Sequence, residues 1–157
     1  MSATAAENQS THTLEVRKEL LIVATPEIVF ASVLEEIGPG SELPDGTPFP
    51  MKIEPWPGGR WFRDRGESGG HPFGHLWGHV QVIKAPTLLE LWGPMAMSYP
   101  AINHIQYRIK EEGHATRLTL LHRAMGLIER EQREGVNAGW DHGLGRVKAI
   151  AEGKSKK

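Results

Sequence analysis

IEREQREGVNAGWDHGLGRVKAIAE, residues 128–152, is the stretch that decides the fold. Its apolar residues are Val136, Trp140, Leu144, Val147 and either Ile150 or Ala151. Spacings of three and four put them on one face of a helix. Glu129, Arg130, Arg133, Asp141, Arg146 and Lys148 take the other face. A helix over Glu129 to Glu152, about 24 residues at 1.5 Å per residue, is roughly 36 Å long. That length spans a small domain, so the rest of the chain is expected to wrap around it.

The preceding segments alternate, as strands do. Residues 115–124 place Leu118, Leu120 and His122 on one face, and residues 102–111 place Ile105, Tyr107 and Ile109 on one face. Further upstream, Phe73 to Lys84 and Thr87 to Trp92 read as a hairpin across a two-residue turn at Ala85-Pro86. That turn predicts Val82 opposite Leu89 and Val80 opposite Leu91. Pro57-Gly58-Gly59 separates a short strand, Met51 to Pro55, from Arg60 to Arg65, and Gly66 to Pro72 reads as a flexible loop.

Residues 38–50 are rich in proline and read as a loop, with a short helical turn near Ser41 to Leu43. A helix from Pro26 to Glu36 fits Thr25 as N-cap and Pro26 at the first helical position, with Val29, Phe30, Val33 and Ile37 inward. Residues 14–24 read as the first strand, its second half buried on both faces at Leu21 and Val23. The class is α+β: strand, helix, hairpin-linked strands, long helix. Successive hairpins imply an antiparallel sheet of six or seven strands, curved around the last helix.

The chain has 157 residues, which suggests one domain, over 13–152, between a disordered tail (1–12) and a short C-terminal tail (153–157). A net charge of -1 gives no electrostatic reason for nucleic acid or an anionic membrane as partner. The absence of cysteine excludes disulfides and thiolate sites and fits a cytoplasmic location. Neither a secretory signal nor a membrane-spanning apolar run is present in the sequence.

The residues that could carry chemistry are few. His71, His75 and His79 are spaced by four. On a strand, His75 and His79 would lie about 13 Å apart, at ~3.3 Å per residue. Zinc ligands sit about 2 Å from their metal, so those two cannot share an ion, and no metal or cofactor is expected. His122 ends an apolar alternation as a polar tip on an apolar wall, which suits ligand orientation or acid–base work. Tyr107, or Glu90 if it points inward, would be its partner in catalysis. The five tryptophans are each expected in the core, with Trp140 anchoring the helix and Trp61 a second wall. Neither a nucleotide-binding glycine motif nor a Gly-x-Ser-x-Gly elbow occurs.

Four segments, in order, resemble a known family. They are Ile22 to Phe30 (IVATPEIVF), Pro55 to Trp61 (PWPGGRW), Gly78-His79-Val80 with Ala85-Pro86 and Leu89 to Trp92, and Ala115 to His122 (ATRLTLLH) with Gly139-Trp140 and Leu144. Together they resemble the START-like (SRPBCC) superfamily, in the branch of homologues of the activator of the ninety-kilodalton heat-shock protein's ATPase. The resemblance covers roughly residues 14–152 and implies a helix-grip fold. Members of that superfamily include small-ligand binders, cyclase-like enzymes and co-chaperones, so fold alone does not choose a function.

The first expectation is a binding module. It holds a small, largely apolar ligand between the sheet and the long helix, walled by Trp61, Tyr107, Leu118, Leu120, His122, Trp140 and Leu144. The second is a cyclase- or hydrolase-like enzyme using His122 in the same cavity. The third is a protein-interaction domain with a chaperone partner. A homodimer paired through an edge strand near Leu14 or Met51 is a further possibility.

Overall fold

The computed structural model describes residues 6–157. The elements run β1 (His12–Ile22), α1 (Pro26–Ile37), β2 (Lys52–Ile53), β3 (Arg60–Ser68), β4 (His71–Lys84), β5 (Leu88–Gly93), β6 (Ala101–Glu112), β7 (Ala115–Gly126) and α2 (Arg130–Ser155). All seven strands form one antiparallel sheet in the order β1-β7-β6-β5-β4-β3-β2. This is the expected helix-grip architecture. β1 and β2 are the opposite edges of the sheet, so α1, which connects them, passes across the concave side. There it packs on α2, β6 and β7.

Alternation decides which face is core. Asn103, Ile105, Tyr107 and Ile109 of β6 and Thr116, Leu118, Leu120, His122 and Ala124 of β7 all point inward and are buried. They meet Val29, Val33 and Ile37 of α1 and Leu144, Val147 and Ala151 of α2. Ala151, not Ile150, completes the α2 stripe.

α1 begins as its sequence predicts: the Thr25 side chain accepts from Ile28 N at 3.3 Å. α2 is clamped near its C-terminal end. Glu152 Oε2 accepts from Val23 N at 2.9 Å, and Lys148 Nζ donates to Leu21 O at 3.1 Å.

Several expectations are corrected. Leu21 and Val23 are 46% and 62% exposed, because β1 is an edge strand covered on only one face. The stretch 66–72 is not a loop but the tip of the β3–β4 hairpin. Gly69 and Gly70, with φ of 61° and 80°, supply the two left-handed residues of a tight turn. Val82 lies opposite Glu90, not Leu89. The turn between β4 and β5 is one residue longer than expected, and Gln81 then bulges to bring Val80 back opposite Leu91.

β4 bulges a second time at Trp77, between Gly78 opposite Trp61 and Leu76 opposite Phe62. Such bulges bend a strand and raise its twist, which suits a curled sheet. α2 runs to Ser155, past the expected Glu152. Residues 41–43 form no helical turn; Glu42 instead bridges to Pro48. Trp56 and Trp92 are 55% and 45% exposed rather than core. The expected tail over 1–12 falls partly on residues 1–5, outside the described residues, and β1 starts at His12.

Candidate functional site

α1, the loop after it, β3, β4, the β5–β6 loop and the first half of α2 enclose a cavity of about 460 Å³. Its apolar wall is Phe49, Met51, Trp61, Trp77, Met95, Val136 and Trp140. Leu43, Pro44 and Ala96 are exposed and form part of its rim. The aromatic rings brace one another: Trp61 and Trp77 meet edge-on with centroids 5.2 Å apart, and Phe49 lies 5.9 Å from Trp77. Met95 reaches the wall from a left-handed backbone (φ 55°), which costs a non-glycine residue roughly 1–2 kcal/mol.

Glycines create the space. Gly135, Gly139 and Gly143 follow one another at intervals of four and all line the cavity from α2. A Cβ at Gly135 or Gly139 would meet nothing within 4 Å, whereas one at Gly143 would stand 3.3 Å from Glu36 Oε1. Trp140 leans from the same helix over the cavity's edge. The helix is therefore thin where it borders the cavity and thick beside it.

The polar end belongs to Glu36. It sits one turn past Val33 on the buried face of α1 and is only 8% exposed. Its carboxyl makes no hydrogen bond or ion pair among the described residues. Burial pushes its pKa up to about 7; the Arg146 guanidinium pulls it down, and the Glu42 carboxylate pushes it up. Glu42 itself lies 3.2 Å from His142 Nε2 and 3.4 Å from Arg146 Nε. Arg146 Nη2 donates to Gly40 O at 2.8 Å, tying α2 to the loop after α1.

Of the seven sequence-predicted wall residues, Trp61 and Trp140 border the cavity. Tyr107, Leu118, Leu120, His122 and Leu144 are buried in the packing behind it and do not border it. Trp61 Nε1 donates to Ile37 O at 2.8 Å, satisfying a carbonyl that the end of α1 leaves open. Tyr107 packs edge-on to Trp140, centroids 6.3 Å apart, and burial followed by the nearby Glu36 raises its pKa.

His122 is fully buried and held at both nitrogens. Trp140 Nε1 donates to its Nδ1 at 2.9 Å, so the proton is on Nε2, which donates to Asn103 Oδ1 at 2.7 Å. Asn103 Nδ2 in turn donates to Gly93 O at 3.1 Å. Burial lowers the His122 pKa to about 4. Glu90 points to the opposite face, where its carboxylate accepts from Gln106 Nε2 at 2.8 Å, so it is no partner for His122. Among the described residues no three His, Asp or Glu side chains group to hold a metal ion. His75 instead accepts from Trp77 Nε1, and His79 lies 3.1 Å from Gly58 O.

Sequence reading passed over Glu36 and the glycines. Both had a signal. Glu36 continues the Val29–Val33 stripe as a lone charge on the apolar face, and the glycines repeat every four residues inside a helix, where each costs about 1 kcal/mol relative to alanine.

No family model matches the chain, and no curated protein matches it in sequence. Solved structures do match in fold. An uncharacterised protein from Rhizobium leguminosarum superposes with a TM-score of 0.71 at 12% identity, over 93% of this chain and 99% of that one. The di-domain ARO/CYC protein StfQ of the steffimycin biosynthetic pathway gives 0.63 at 10% identity, over 92% of this chain and 52% of that one. Ara h 8.0201 gives 0.62 at 11% identity, over 90% and 98%. At such identities the likeness is one of fold: the chain has a helix-grip fold.

Proposed function

We propose that the chain is a single-domain binding module that holds a small, largely apolar ligand in the cavity between α1, the sheet and α2. The observation that carries this reading is the cavity itself, about 460 Å³ and walled by three tryptophans, a phenylalanine and two methionines. That volume lies in the range of drug-sized ligand sites. Trp61 and Trp140 would touch the ligand. Tyr107, Leu118, Leu120, His122 and Leu144 would hold those walls in place from behind. The bonding of His122 weighs against acid–base use, because both ring nitrogens are already engaged in the protein.

Native mass spectrometry of the purified chain tests the reading, together with uptake of the neutral apolar dye Nile red. A co-purifying small molecule, or saturable dye binding that Gly139→Leu removes, supports it. The absence of both a retained molecule and dye uptake overturns it.

A second reading has its own observation. Trp92, Ile102 and Met125 are 45%, 57% and 57% exposed, and Ile102 and Met125 are cross-strand neighbours on the outer face of the sheet. With the resemblance to homologues of the heat-shock-protein ATPase activator, this favours a protein partner, such as a chaperone, on that face. Trp92→Ser with Met125→Ser leaving chaperone binding intact would remove it.

A further inference from the structure

We infer that the cavity is built for an apolar amine, whose ammonium group is received by the Glu36 carboxyl. The inference rests on the ligand-binding reading above and narrows it to one ligand class.

The polar chemistry left free on the wall is one-sided. All three tryptophans that line the cavity spend their indole N–H inside the protein. Trp61 donates to Ile37 O, Trp77 to His75 Nδ1 and Trp140 to His122 Nδ1. Toward a ligand they present only carbon and π surface. Three carboxyl groups, Glu36, Glu42 and Glu131, line the cavity; against them stands His142, which is spent on Glu42 at 3.2 Å, and among the described residues no lysine or arginine lines it. Ser41 and Gln132 can donate or accept, so they add no bias. A ligand that fits this wall brings the donors itself and gains from positive charge.

Glu36 is the group placed to receive it. It is 8% exposed, lines the cavity and makes no hydrogen bond or ion pair among the described residues. Gly143, whose Cβ would crowd Glu36 Oε1 at 3.3 Å, leaves the approach to that oxygen clear. The nearby cation, Arg146, does not line the cavity and is turned to Gly40 O and Glu42. Aromatic faces beside a carboxylate favour an organic cation over a neutral molecule of the same shape.

The charged groups around Glu36 define the pH dependence. They are Arg146 and His142 on α2, Glu42 on the loop after α1 and Tyr107 on β6. Burial holds the Glu36 proton up to about pH 7, so an ammonium must displace it at lower pH. Amine affinity is therefore expected to rise about tenfold from pH 6 to pH 8. A neutral ligand should show no such rise.

The test uses three probes with one apolar body: 4-phenylbutylamine, 4-phenylbutanol and 4-phenylbutyrate, titrated into the full chain by calorimetry. The amine should bind tightest and the carboxylate weakest. Glu36→Gln should weaken the amine about tenfold or more and leave the alcohol within about twofold. If the alcohol or the carboxylate binds as well as the amine, or if amine binding by the unmodified chain is flat between pH 6 and pH 8, the amine inference is overturned and apolar binding stands. If none of the three binds, the binding reading itself fails, and this inference with it.

Discussion

The indole of Trp140 on α2 donates to His122 Nδ1 on β7 at 2.9 Å, with the two rings edge-on at 5.5 Å between centroids. His122 passes the chain of bonds to Asn103, and Asn103 to the Gly93 carbonyl. The long helix is thus tied through two strands to the loop that carries Met95 to the cavity wall. The bond fixes the histidine tautomer and holds Trp140 at the cavity's edge.

Trp140→Phe keeps most of the buried area and deletes only this donor. His122 Nδ1 would then be left buried without a partner, at a cost of about 1–3 kcal/mol. Urea denaturation should show that loss. A cost near zero would mean that the bond contributes nothing net.

Glu36 and His122 oppose each other in their pH dependence. Glu36 has a folded pKa of about 7 against an ordinary value of 4.5. Its contribution is fully favourable below pH 4.5 and is lost as pH rises to about 7. His122 has a folded pKa of about 4 against 6.5. Its contribution is full above pH 6.5 and is lost as pH falls to about 4. Each is worth on the order of 3 kcal/mol across its window. Between pH 4.5 and 6.5 the two slopes cancel, so these groups leave stability nearly flat there. In Glu36→Gln the cancellation is gone, and stability should climb with pH by a few kcal/mol up to about pH 6.5. A flat profile in that variant would show that the His122 pKa is not so displaced. Glu54, held at about 2 by its hydrogen bonds from Arg60, acts below this window.

Two glycines with equally open surroundings should respond oppositely to alanine. A Cβ at Gly139 or at Gly70 meets nothing within 4 Å. Gly139 is inside a helix, so Gly139→Ala should stabilise by up to about 1 kcal/mol. Gly70 has φ of 80°, so Gly70→Ala should cost roughly 1–2 kcal/mol from backbone strain alone. Thermal denaturation of the pair separates backbone conformation from packing.

Filling the cavity should uncouple binding from folding. Gly139→Leu adds a side chain where the cavity is empty, so fold and stability should be retained while Nile red uptake falls sharply. Dye uptake unchanged in that variant would place the dye elsewhere.

Lys18 interrupts the inward face of β1 and reaches Asp141 on α2 at 2.8 Å, with Asp141 67% exposed. An ion pair so open to water contributes about 0–1 kcal/mol. Lys18→Met, which keeps the apolar stem, should therefore change the urea midpoint little, and a large loss would mean that the charge does more than bridge.

Periodicity made the architecture legible. Val136, Leu144 and Val147 were readable as one face of α2, and Ile105, Tyr107, Leu118, Leu120 and His122 as the sheet face that meets it, because side-chain direction follows directly from helix and strand repeats. Register was legible only where turn length was. The β4–β5 pairing was missed at Val82 because the turn is longer by one residue and a bulge then corrects it. Exposure at Leu21, Val23, Trp56 and Trp92 was not legible, since it depends on which strands are edges and which faces the helices cover.

The sequence by itself determined the order of elements, the antiparallel sheet and the helix that closes it. It also determined which residues are apolar enough to form a core. Only the tertiary structure decided where that core stops. The predicted wall of Tyr107, Leu118, Leu120, His122 and Leu144 is packed solid, and the empty space lies beside it, where Gly135 and Gly139 withhold side chains and Trp61, Trp77 and Glu36 converge from three elements. A cavity is a failure of distant segments to fill a shared volume. No local repeat encodes that volume, because it exists only once the helices have settled on the curled sheet.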